Sequence, residues 1–228
     1  MGIKAITTQK IIYDKWKYKY IKLKNKKMKE ITKQFKNKKV LDIGSGNGII
    51  NEILPQIKYT GIDFSKIAVK DGIRKGYNII RHDITKTFPF KNNTFHLIIA
   101  SEIIEHILDT DYILRECYRV LKKNGTLILT TPNICSFSSR MRVLFGKRPL
   151  AIDYRVNLTT AGHIRGFSSH EIKILLNENK FNIIKFSGCE FNLPLISSET
   201  KYFGIIPEIL SNIFPKFSED FIITAKKI

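Results

Sequence analysis

The sequence predicts an α/β chain built on a doubly wound, mostly parallel sheet of seven strands with helices on both faces. Three observations carry that reading. Short apolar runs alternate with stretches of helical period. The runs are apolar nearly throughout, as strands covered on both faces are. The first of them ends in a glycine cluster that opens a helix. With 228 residues, 43% hydrophobic and 26% charged, the chain suffices for one globular domain with a full core.

Residues 10–35 read as one or two amphipathic helices. Ile12, Trp16, Tyr20 and Leu23 recur at helical spacing, and lysines fill the other face. Val40-Leu41-Asp42-Ile43 is the first strand. Gly44-Ser45-Gly46-Asn47-Gly48 follows, then a helix from Ile49 to Leu54. Tyr59 to Asp63 is a strand, Ile67 to Lys75 a helix closed by Gly76, and Tyr77 to Asp83 a third strand. Phe95 to Ser101 is a fourth, very apolar strand. Glu102 to Leu108 and Asp111 to Leu121 read as helices. Asn124-Gly125 is a turn into the strand Thr126 to Thr131. Residues 133–166 show no clear period and read as an excursion over the sheet edge. Ser168-Ser169-His170-Glu171 is a capping box for a helix from Ile172 to Asn179. Phe181 to Ser187 and Phe221 to Ala225 are the last strands, with an apolar, proline-punctuated stretch at 191–217 between them. The expected division is a basic helical arm over 1–35 and one domain over 36–228, with 133–166 and 191–217 as lids.

Charge is the outlier: 39 basic against 20 acidic residues, a net of +19. Fourteen lysines fall within residues 1–39. Such a segment suits an anionic partner, whether nucleic acid, anionic lipid or a phosphorylated substrate. Lysine without interleaved arginine is a weak nucleic-acid footprint, and a plain solvated face is the favoured reading. Three cysteines with no close pair exclude a CxxC zinc site and a disulfide framework, and fit a reducing compartment. No apolar run is long enough to span a bilayer, and Met1 to Lys10 lacks the core of a signal peptide. The expected location is the cytoplasm.

A glycine turn between a strand and a helix suits a nucleotide-containing cofactor, because glycines let the backbone approach the ligand. The dinucleotide fingerprint needs glycine at position 49, where Ile49 stands; the third glycine is one residue early, at Gly48. Val40 to Gly48 resembles the first motif of the class I S-adenosylmethionine-dependent methyltransferases, which are Rossmann-like. Four later stretches match that family in order: Thr60 to Ser65, Arg81 to Ile84, Phe95 to His106 and Leu121 to Leu127. The resemblance implies S-adenosylmethionine bound by Asp42, Gly44, Ser45, Gly46, Gly48, Asp63, Phe64, Asp83, Ile84 and Ser101. Asp63 would accept the ribose hydroxyls, and Asp42 would offset the cofactor's amino group. Asp83 and the Ile84 N–H would meet the adenine edge, with Phe64 and Ile84 sandwiching the ring. His96 stands where the family usually has aspartate.

Glu102, Glu105, His106 and Asp109 are spaced for one face of a helix, with Ile103, Ile104, Ile107 and Leu108 on its core face. His163 follows within Gly162 to Phe167. Glu-x-x-Glu-His with a later histidine resembles quinone-biosynthesis O-methyltransferases and small-RNA 2′-O-methyltransferases. In those families such residues hold a divalent ion. The implied metal set is Glu102, Glu105, His106 and His163. A metal-free base at His106 or His163 and a plain polar pocket wall stay open beside it. The sequence weighs against the metal, because Glu-His at this place also occurs in relatives that need none. The implied activity is methyl transfer to a small or lipid-like acceptor, at oxygen, with peripheral membrane contact as a corollary of the apolar 191–217 stretch. An RNA-modifying enzyme using the basic arm is the alternative. A non-catalytic binding protein with a retained cofactor pocket is the rival of another class.

Overall fold

The computed structural model describes residues 21–54, 56–149, 151–153, 162–191 and 205–228. The helical reading of residues 10–20 lies outside them, as do parts of both lid stretches, 154–161 and 192–204.

Seven strands form one sheet: β1 (Lys39–Ile43), β2 (Lys58–Asp63), β3 (Ile79–Arg81), β4 (Phe95–Ser101), β5 (Leu121–Pro132), β6 (Phe181–Cys189) and β7 (Asp220–Lys227). Their order is β3-β2-β1-β4-β5-β7-β6, and only β7 runs antiparallel to its neighbours. The helices are α1 (Ile21–Thr32), α2 (Ile49–Ile53), α3 (Lys66–Arg74), α4 (Thr110–Val120), α5 (Phe137–Leu144), α6 (Ser169–Glu178) and α7 (Ile205–Ile213). Every strand read from the sequence is present, with ends shifted by a few residues. The predicted lids hold regular structure that the pattern does not show, in α5 and α7.

The continuous apolar strands follow from a sheet covered twice. In β4, Ile98 and Ala100 face α4 and α6 with Leu41, Ile43, Leu127 and Phe221. Leu97 and Ile99 point the other way, onto Met28, Phe35 and Leu54. Period-2 alternation is therefore between two cores, not between core and water.

That second core corrects the expected arm. Met28 and Phe35 are buried against the sheet, so residues from Leu23 onward are a layer of the domain. Two of its lysines also point inward: Lys24 pairs with Glu102 and Asp220, and Lys27 donates to the Gly188 carbonyl and Asn212. Lys26 pairs with Glu208 at the surface.

β1 and β4 are neighbours, but the chain winds outward from them in opposite directions. Their carboxyl ends form the point where open α/β sheets bind ligands. Gly44–Gly48 leaves β1 there, and residues 102–106 leave β4 there.

Candidate active site

Gly44, Gly46 and Gly48 all have positive φ, at 67°, 55° and 82°. Gly44 and Gly48 are also packed: an added Cβ would lie 2.5 Å from Ile103 Cδ1 and 2.6 Å from Tyr77 Cδ2, respectively. A Cβ on Gly46 would meet nothing within 4 Å, so this glycine faces open space. Its N–H donates to Asp63 Oδ2 at 2.8 Å, while Ser65 N–H donates to Oδ1 at 2.8 Å. The end of β2 thus holds the open side of the loop. α2 has five residues, so the loop rather than a long helix dipole shapes this site.

Phe64 is 73% exposed beside this loop, an uncovered aromatic face. Asp83 Oδ1 accepts from Thr85 N–H and Oγ1, bonds that hold its carboxyl below the usual range. Ile84 is buried in the larger core, so Phe64 is the more open of the two sandwich residues. Ser101 Oγ turns to Thr130 Oγ1, 2.9 Å away. Asp42 is 2% exposed and accepts from Tyr59 Oη at 2.9 Å. Burial pushes its carboxyl up to about 7, against the Tyr59 bond, with Asp63 adding to the rise. It braces the loop from behind.

The fit to a nucleotide-type cofactor rests on these features: open backbone at Gly46, an acid fixed at a strand end, and a bare aromatic ring beside it.

The segment after β4 departs from its predicted helix. Glu102 has φ 53°, and only Ile104–His106 turn, as a 3₁₀ helix. Leu108, expected in the core, is 81% exposed, whereas Glu105 is 1% exposed. Asp109 caps α4 by accepting from Tyr112 N–H. The four polar residues therefore do not share one face. The Ile103 side chain instead closes over Gly44, joining this turn to the glycine loop.

Glu105, His106 and His163 do converge. One ligand atom from each lies within 4.8 Å of the others. Glu105 Oε1 is 3.9 Å from His106 Nε2 and 4.0 Å from His163 Nε2. Glu105 Oε2 accepts from Thr131 Oγ1, but the buried Oε1 has no hydrogen-bond partner. His106 Nδ1 lies 3.1 Å from the Gly162 carbonyl and His163 Nδ1 3.1 Å from the Ala151 carbonyl. A carbonyl only accepts, so each Nδ1 carries a proton, and a neutral ring then presents its lone pair at Nε2. Burial lowers the His106 pKa, which keeps the ring neutral. Burial, then the Glu102 charge, raises Glu105 well above the carboxylate range. Asp153 was missed in the sequence. It accepts from Gly162 and His163 N–H and so holds the His163 loop, while the Glu105 carbonyl accepts from Ile164 N–H.

Glu102 stands apart from this trio. Its Oε1 accepts from Thr130 Oγ1 at 2.6 Å and pairs with Lys24 Nζ at 2.9 Å.

Comparison with known proteins agrees with this geometry. Residues 41–129 match the family described as "Methyltransferase domain". Residues 41–129 are a class I methyltransferase domain. S-adenosylmethionine is the cofactor of such domains. The ubiquinone biosynthesis O-methyltransferase of Pelagibacter ubique is 32% identical over 127 residues, 50% of this chain and 51% of that protein. That of Pseudomonas fluorescens is 31% identical over 104 residues, 42% of this chain and 45% of its own length. The chain thus spans about half the length of the relatives it matches. Among solved structures, a SAM-dependent methyltransferase from Archaeoglobus fulgidus has TM-score 0.64 at 18% identity, over 95% of this chain and 98% of that one. One from Methanosarcina mazei has TM-score 0.61 at 22% identity, over 87% and 97%. These likenesses carry the fold of the methyltransferase domain across almost the whole chain.

Proposed function

We propose that this chain transfers a methyl group from S-adenosylmethionine to a hydroxyl of a small, lipid-like acceptor, assisted by a divalent cation at Glu105, His106 and His163. The observation that carries the reading is the unpartnered, buried Glu105 Oε1 facing two Nε2 lone pairs beside the glycine loop. Its relatives named for ubiquinone O-methylation support the acceptor class.

S-adenosylmethionine supplies a methyl carbon that is already electrophilic, so the protein's part is placement. The Gly46 backbone and Asp63 hold the loop against it, Phe64 covers a flat ring, and Asp83 keeps an acceptor edge open. Asp42 and Tyr59 fix the loop from behind. The donor set of one carboxylate and two imidazoles suits Mn²⁺, Zn²⁺ or Mg²⁺. Carbonyl-bound Nδ1–H groups are the outer support that metal-ligating histidines usually have. A cation held there would supply Lewis acidity that lowers the pKa of an acceptor hydroxyl, so that its proton passes to water with no strong protein base. This geometry favours the metal over the plain polar pocket wall that the sequence prefers. An Nε2 used as a ligand cannot also take the acceptor's proton, so the metal and free-base readings are separable.

Peripheral membrane contact also belongs to this proposal. Val143, Leu144 and Phe145 are exposed at the end of α5, the last two at 72% and 70%. Arg140, Arg142, Lys147 and Arg148 flank them, and no acid occurs between residues 117 and 152. An apolar tip ringed by cations suits an anionic lipid surface. No helix among the described residues is long and apolar enough to cross a membrane.

The test is methyl transfer from labelled cofactor into the lipid and aqueous fractions of a cell extract. Label should enter the lipid fraction, stop with chelator and return with Mn²⁺, Mg²⁺ or Zn²⁺. Full turnover after chelation would return His106 and His163 to the role of bases. Label only in RNA would overturn the acceptor.

A further inference from the structure

Lys24 lies on α1, far from the methyltransferase motifs in sequence, yet it reaches the carboxyl edge of the sheet. Its Nζ is 2.9 Å from Glu102 Oε1 and 3.1 Å from Asp220 Oδ2. The Lys24 and Asp220 side chains are largely shielded from water and Glu102 is about a third exposed, so this triad sits at the rim of the interior rather than on the open surface. Thr130 Oγ1 fastens the same Glu102 oxygen at 2.6 Å, and Glu102 N–H donates to Thr130. The positive φ of Glu102 fits this double anchoring, since surrounding bonds must hold a non-glycine residue there.

The triad has a consequence for the neighbouring cluster. Glu102 is three residues from Glu105, and its charge acts on Glu105. It is nevertheless outside the group whose ligand atoms lie within 4.8 Å of one another. A carboxylate oxygen held by an ammonium and a hydroxyl has little left to give a cation. Asp220 has the same partner, so the lysine compensates two acids at once.

We infer that Lys24 is a positioning residue that withholds Glu102 from the Glu105–His106–His163 cluster, leaving a three-ligand site with open positions for an acceptor. The inference rests on the cation reading above. It departs from the four-ligand set that the sequence pattern implies, and it makes the N-terminal helix part of the active centre. A three-ligand site retains coordination positions for substrate, as catalytic rather than structural sites do.

The test uses the full chain, Mn²⁺ alone and electron paramagnetic resonance of the free ion, with no turnover involved. The parent should bind one Mn²⁺, and Glu105→Gln and His163→Ala should each weaken it by at least about tenfold, as loss of a ligand does. Failure of that step would sink the cation reading itself. Given that step, Glu102→Gln should leave affinity within about threefold of the parent. Lys24→Met should tighten binding by at least about fivefold, because a carboxylate becomes available and a nearby positive charge is gone. Adding Glu102→Gln to Lys24→Met should remove that gain. A lysine that only packs α1 would give no tightening. Lys24→Met leaves two acids uncompensated, Asp220 among them buried, so Lys24→Met with Asp220→Asn serves where the single variant fails to fold, with the same gain expected. Glu102→Gln as damaging as Glu105→Gln would overturn the inference, as would equal or weaker binding in the folded Lys24 variants.

Discussion

Replacing Gly46 by alanine separates the cofactor role of the glycine loop from its packing role. Gly46 has φ 55°, where an L-residue with a Cβ is disfavoured by about 1–2 kcal/mol. No atom lies within 4 Å of the added carbon, so no clash adds to that cost. The N–H bond to Asp63 at 2.8 Å can persist. Unfolding stability should therefore fall by only about 1–2 kcal/mol, read from urea titration. The new methyl projects into the open side of the loop, where a bound cofactor's backbone approach would be blocked. Affinity for S-adenosylhomocysteine by calorimetry should drop at least about tenfold, or about 1.4 kcal/mol. Gly48→Ala is the contrast. It faces Tyr77 at 2.6 Å as well as φ 82°, so its larger effect should be on stability. Unchanged cofactor affinity in a folded Gly46→Ala protein would refute the claim that this open face meets the ligand.

Three further outcomes follow from particular contacts. The folded-state pKa of Asp42 is raised to about 7, so the stability it contributes is present below its unfolded value and lost as pH rises through about 7. The stability advantage of Asp42→Asn over the parent should therefore widen by about 2–3 kcal/mol between about pH 5 and pH 8, and a constant difference would contradict the burial of that carboxyl. Arg119 makes two bonds to Glu116 and others to the Phe88 and Phe90 carbonyls, so Arg119→Met should cost about 2–3 kcal/mol in denaturant titration, with cofactor affinity in the folded protein unchanged. Leu144→Asp with Phe145→Asp should abolish co-sedimentation with phosphatidylglycerol vesicles while leaving the melting temperature within a few degrees, since both side chains are exposed; parent protein that stays in the supernatant would end the membrane reading.

The cofactor half of the site is legible in the sequence because its determinants are local. Val40 to Ile43 is apolar without a break, and three glycines then take positive φ within five residues. Asp63 sits at the end of its strand as expected. The segment after β4 is not legible in this way. Its residues carry a helical period, yet Glu102 takes a left-handed conformation and bonds Thr130, 28 residues on. Hydrogen bonds to a neighbouring strand override a pattern that propensity alone cannot distinguish from a helix. The same holds for Lys24, whose partners are Glu102 and Asp220, and for Asp153, whose role is visible only once the His163 loop folds back on it. A lysine among fourteen in a basic segment gives no sign that it turns inward.

This division has a physical origin in what each half must recognise. A cofactor whose phosphate-free, flat and ribose-bearing parts are constant can be met by backbone groups, and a backbone needs special residues at fixed spacing, so it leaves a motif. The proposed cation and acceptor side draws on side chains from four separated pieces: α1, the turn after β4, the β5 threonines and the loop at residues 162–165. No spacing rule links such pieces, because the chain between them only has to return. Site residues of this kind are set by the fold's topology rather than by local pattern. It follows that relatives sharing the glycine loop can differ freely in whether a lysine reaches the position of Lys24. The Mn²⁺ titration of the Lys24 and Glu102 variants therefore also measures how independently the two halves of one cleft are built: cofactor affinity should stay within about twofold of the parent in those variants while cation affinity moves.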